Sequence, residues 1–291
     1  MTPETVGPHR AGFGESAFWS EADQAVWWVD LHGRSLLKTQ EDGTTWVFKM
    51  PGFPANNPRA IVPGRDGRLI VALDGRLARF DPKSGTFGDI DIALPVPEGH
   101  VLNDATVDAK GRLIIGTVRA AGGDDYRGRL LLIAPDAPAR ILFDGLCIPN
   151  GLAFSPDGRT LYFSDSHRDV RTVWQAAYNL DTGDMATPTV FVPPERFPGR
   201  PDGAAVDRDG GYWIASLETG KVLRFTPDGQ FDRDVLLPAP MPSKPCFGGI
   251  AMDSLYVTTA GPLSGIDDGM SGALFRLTAP VAGLTAHVCR L

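Results

Sequence analysis

The stretch SPDGRTLYFSD, Ser155–Asp165, decides the fold of this chain. A Pro-Asp-Gly turn leads into an apolar strand. Immediately upstream, IPNGLAF at Ile148–Phe154 supplies the other arm of a β-hairpin. The unit recurs as SEADQAVWWVD from Ser20, GRDGRLIVALDG from Gly64, DAKGRLIIGT from Asp108 and DRDGGYWIASLETG from Asp207, with a degraded copy, MDSLYVTTAG, from Met252. The copies lie roughly 45 residues apart, the length of a four-stranded propeller blade. One blade cannot cover both of its faces, whereas blades stacked around an axis bury a continuous core and expose no long sheet edge. The sequence therefore predicts an all-β, six-bladed β-propeller with four-stranded blades around a central channel, as a single domain over 1–291. Residues before Glu15 and the tail His287–Leu291 are expected to share a blade and close the ring. A two-sheet sandwich gives no reason for this period.

Composition narrows the function. The 291 residues are 43% hydrophobic and 22% charged, ordinary for a globular chain, and 34 Gly with 25 Pro favour many turns over long helices. A net charge of -7 argues against nucleic acid and anionic membrane surfaces as partners. No run reaches the ~18 apolar residues of a membrane span, and MTPETVGPHRAGFGE lacks the basic and apolar regions of a secretory leader. Cysteines 147, 246 and 289 have no metal-type spacing, so a reduced, cytoplasmic chain is expected.

The innermost strand of each blade lines the channel, so one repeat position recurs as a ring around the axis. Asn150 stands eight residues before Gly158 of the SPDG turn. The same count reaches Asn103, Asp202, Glu15 and Arg59 in other blades, and aligning GGIAM with GLAFS adds Gly248. Two carboxylates and two amides at one axis would repel or go unsatisfied without a cation between them. Alone, Asn150-Gly151 reads as a turn; within the ring, Asn150 reads as a ligand. Oxygen-only donors suit one hard divalent cation, Ca2+, Mg2+ or Mn2+, with Zn2+ and Fe2+ left open. So few protein ligands leave positions for water and substrate, as catalysis needs.

Other signals carry less. GFGESA at Gly12–Ala17 lacks the flanking strand and helix of a dinucleotide site, and no Gly-x-Ser-x-Gly elbow or phosphate loop is present. The tryptophans at 27, 28, 174 and 213 read as packing between blades. The histidines show no paired spacing and read mainly as surface or loop residues, though His100, three residues before Asn103, and His167 stand where either could reach the channel mouth.

Five segments in order, GFGESAFW, LNDATVDAKGRLIIGT, IPNGLAFSPDGRTLYFSDS, RPDGAAVDRDGGYWIAS and KPCFGG, resemble the SMP-30/gluconolactonase/regucalcin family of six-bladed propeller lactonases. The resemblance spans nearly the whole chain. It implies that Glu15, Asn150 and Asp202 hold the cation, and that Asn103 lies beside substrate and water. It further implies hydrolysis of sugar-acid lactones, such as glucono-, xylono- or arabinonolactone, to the open aldonates. Val101 stands where the family often has a substrate-binding Arg, and Arg119 falls near a position often acidic. Arg59, Arg119 and His100 are accordingly expected to contact substrate, with Arg59 supplying the missing guanidinium unless it only pairs with a neighbouring carboxylate. Asp202 is the expected general base and Asn103 its catalytic partner. Two other readings remain: an esterase of paraoxonase or organophosphatase type on the same scaffold, and a non-catalytic calcium-binding propeller.

Overall fold

A computed structural model describes residues 2–51, 57–262 and 269–291, and these form six antiparallel sheets arranged as the blades of a β-propeller. From the axis outward, the first blade runs Gly14–Ser20, Ala25–Asp30, Ser35–Gln40 and Thr45–Lys49. The innermost strands of the remaining blades are Ala60–Pro63, His100–Val107, Pro149–Phe154, Arg200–Val206 and Pro242–Gly248.

The repeated turn is built by its aspartate. Asp207 Oδ1 accepts from the Asp209 and Gly211 amides, folding the chain back. Its Oδ2 accepts from Trp213 Nε1 and Arg224 Nε, both at 2.7 Å, so one side chain fixes a turn and two following strands. Asp108 builds its own turn on Lys110 and Arg112 and reaches the next blade by accepting from the Tyr178 hydroxyl. Gly111, Gly158 and Gly210 take positive φ of 83°, 68° and 81° in these turns, a region that only glycine enters without strain.

Two of the aromatics expected between blades make such contacts: Trp27 meets Phe80 of the second blade, and Trp213 meets Phe247 of the sixth edge-on. Trp174 stacks instead on Phe163, its cross-strand partner in the same blade. All three cysteines are buried and unbridged.

The ends of the ring depart from expectation. Glu4–Thr5 pairs with Phe275–Thr278 and completes the sixth blade, as foreseen for the N-terminal residues. The tail does not join it. Cys289 bridges Gly64 and donates to Pro63 O, and Arg290 N donates to Gly111 O, so the tail runs under the second and third blades. Cys289 and Leu291 are buried among Val62, Val107 and Leu113, and this apolar burial places the tail there.

Five of the six innermost strands break register once: between Glu15 and Phe18, Leu102 and Ala105, Asn150 and Ala153, Pro201 and Ala204, and Pro242 and Pro245. Such bulges re-aim side chains. The second blade pairs regularly from Ala60 to Pro63.

Candidate active site

Beside these five bulges the channel collects its polar side chains. Glu15 and Asn150 are the last paired residues before their bulges, whereas Asn103 and Asp202 are the first residues within theirs. The count from the turn glycine thus mixed two adjacent register positions, and the bulges make them converge. Gly248 is not among them. It pairs with Ser254 at the far end of its strand, where a Cβ would lie 2.7 Å from the Trp19 ring; the sixth blade's bulge carries Ser243 and Lys244 instead. The shorter turn of that blade misled the alignment.

The Glu15 and Asp202 carboxyls touch. Loss of water, and then the Asp104 charge, push Glu15 up to about 7. Loss of water and then Glu15 itself hold Asp202 well above the usual carboxylate range. Asn103 Nδ2 donates to Asn150 Oδ1 at 3.0 Å and to Pro149 O, leaving Asn103 Oδ1 with no hydrogen bond among the described residues.

The orientation of Asn150 is fixed by Ser166. The Ser166 hydroxyl donates to Pro201 O, so it can only accept from Asn150, whose Nδ2 lies 2.7 Å away. The amide is therefore held with Nδ2 on Ser166 and Oδ1 on the opposite side, beside Asn103. Neither Ser166 nor the Asp104–Lys244 pair was expected to serve the site. Lys244 Nζ donates to Asp104 Oδ1 at 2.7 Å, both side chains being buried. The signal was present: LNDAT holds Asp104 next to Asn103, and KPCFGG places a lysine inside an apolar strand.

The donor set fits a divalent cation. Glu15, Asp202 and Asp104 face one ammonium, Lys244, so full ionisation leaves an excess of two negative charges in a desolvated channel. Among the described residues no three His, Cys, Asp or Glu side chains form a metal cluster, so such an ion needs a further oxygen donor besides the two carboxylates.

The comparisons fall on the same segments. The family model described as SMP-30/Gluconolactonase/LRE-like region matches residues 13–261. The chain belongs to that family. The pentonolactonase XacC of Haloferax volcanii is 32% identical over 97% of this chain and 96% of its own. The L-arabinolactonase of Azospirillum brasilense is 32% identical over 86% and 82%. A solved regucalcin from Agrobacterium tumefaciens, described as a calcium-binding protein, superposes with a TM-score of 0.89 at 25% identity, covering 100% of this chain and 98% of that one.

In this SMP-30/gluconolactonase family member the remaining expected residues form two separate groups. Arg59 pairs with Asp74 at 2.7 Å, and Leu102 N donates to Asp74 O, so the pair abuts the strand that carries Asn103. The carboxylate partner considered for Arg59 is therefore real. His100 and Arg119 gather around Asp125, each at 3.9 Å. Asp125 is gripped by Arg127 through two hydrogen bonds and held at about 2 by that contact. His167 Nε2 contacts Asp124 Oδ1 at 2.9 Å. Below the bulges the channel widens into a cavity of about 370 Å3, floored by Leu284–His287.

Proposed function

We propose that this chain hydrolyses aldonolactones of five or six carbons to aldonates, with one divalent cation held by Glu15, Asn150 and Asp202. The observation that carries this reading is the buried contact of two carboxylates in a channel that also holds an amide whose direction Ser166 fixes. The family, and relatives named for pentonolactone and L-arabinolactone hydrolysis, support it.

A cation bound there supplies Lewis acidity to the lactone carbonyl and stabilises the charge that develops on its oxygen. Asp202 takes the proton from the attacking water as the new C–O bond forms, and returns it to the ring oxygen as the ring C–O bond breaks. A ligand carboxylate with a free oxygen lies close to that water and so can take and return the proton. Asn103 orients water or substrate through its Oδ1, which makes no other hydrogen bond among the described residues. Arg59, Arg119 and His100 contact the sugar hydroxyls from the channel mouth. The same reading makes the chain a cytoplasmic enzyme.

The test is acid release from a panel of five- and six-carbon aldonolactones in both ring sizes. Chelator-stripped protein is resupplied in turn with Ca2+, Mn2+, Zn2+ and Fe2+, each against a metal-only blank. Cation-dependent turnover above the blank is expected. Cation binding without turnover on any lactone would replace this reading with that of a calcium-binding propeller, and turnover confined to aryl esters or organophosphates with that of an esterase.

A further inference from the structure

The Asp104–Lys244 pair is a costly feature to bury, and the fold makes room for it. Lys244 is the only buried lysine among the described residues. Its stem crosses Gly203, the residue after Asp202, where a Cβ would lie 2.2 Å from Lys244 Cδ. Its amide is anchored on Thr258 Oγ1 at 3.1 Å. Asp104 is equally fixed, since Oδ2 accepts from Leu152 N at 2.9 Å while Oδ1 takes Lys244. The two residues come from bulges of the third and sixth blades and reach toward each other beside Glu15 and Asp202. A tie between blades needs no charge: an apolar contact would hold as well without the desolvation cost of a buried ion pair. The charge itself therefore asks for a role.

We propose that Lys244 is a resident counter-ion: by neutralising Asp104 it limits the channel to two uncompensated carboxylates and sets how tightly a divalent cation is held. With three free carboxylates the ion would be bound more firmly and its charge more fully cancelled, leaving less to polarise a carbonyl. With Lys244 present and Asp104 absent, the ammonium would repel the ion. The inference rests on the proposed cation site, and a purely structural pair makes different predictions.

The experiment is calorimetric titration of chelator-stripped protein with Mn2+ or Ca2+ alone, for the wild type, K244M, D104N and D104N/K244M. K244M is expected to bind at least about tenfold more tightly, and D104N at least about tenfold more weakly, as one buried charge is removed from each side of the balance. The double variant, with the original net charge, is expected within about threefold of wild type. Opposite signs for the two single variants are the signature. Both weakening together, or neither moving, overturns the inference and leaves the cation site standing, whereas a wild type that binds no ion overturns both. Should K244M fail to fold, the milder D104N decides: unchanged or tighter binding sinks the proposal.

Discussion

Asp202 has two duties under the proposed reading, and one substitution separates them. Asp202→Asn keeps an oxygen for the ion but removes the proton acceptor, so kcat is expected to fall about 10²–10⁴-fold in steady-state assays at saturating cation. A near-normal kcat would assign the base elsewhere. Ser166→Ala removes the acceptor that holds Asn150 Nδ2, freeing the amide to turn its oxygen away. Cation affinity in a direct titration is expected to drop about 10–100-fold with the fold intact, and an unchanged affinity would show that Asn150 is oriented without Ser166. At this scale, Glu15, Asn103, Asn150 and Asp202 were legible because polar residues at the channel end of apolar strands stand out. Asp104 and Lys244 were not, because their purpose appears only when residues 140 positions apart meet across the axis.

The hairpin unit itself was easy to read, since its Asp-x-x-Gly turn is chemistry written in consecutive residues. The bulges were hidden: they belong to the pairing of two strands, and no local pattern separates Gly14–Ser20, which breaks register, from Ala60–Pro63, which does not. That is why a fixed count from the turn reached bulge residues in four blades yet drew in Gly248. Gly203 tests how tightly one bulge is fitted. A methyl group there meets Lys244 Cδ at 2.2 Å and Ser243 O at 2.8 Å, so Gly203→Ala is expected to destabilise the protein by about 1–3 kcal/mol through overpacking. Urea denaturation measures it, and a midpoint within error of wild type would mean that Lys244 yields freely.

For the whole molecule, the buried carboxylates link stability to pH. Unfolded, Glu15 titrates near 4.5; folded, near 7, with Asp202 shifted in the same direction. The folded protein holds protons that the unfolded chain has released, so the stability this contributes is present below pH 4.5 and is lost as pH rises through about 7. Thermal denaturation of chelator-treated protein at pH 5 to 8 is expected to show a falling midpoint, with the slope abolished by saturating Ca2+. A flat or rising profile without cation would contradict it. Ring closure gives a second whole-molecule test. Val6 is buried in the sixth-blade core and donates to Leu274 O at 2.8 Å, so removing residues 2–6 is expected to lower the melting midpoint by several degrees. A midpoint equal to that of the full chain would show that the sixth blade holds without its outermost strand.

The same closure has a consequence for how the protein is made. Glu4–Thr5 leaves the ribosome about 270 residues ahead of its partner, Phe275–Thr278. At about 5–20 residues per second the interval is roughly 14 to 55 s. Throughout it the nascent chain is an open arc of finished blades with an unpaired edge at each end, a species that a chaperone or a neighbouring nascent chain meets before the enzyme exists.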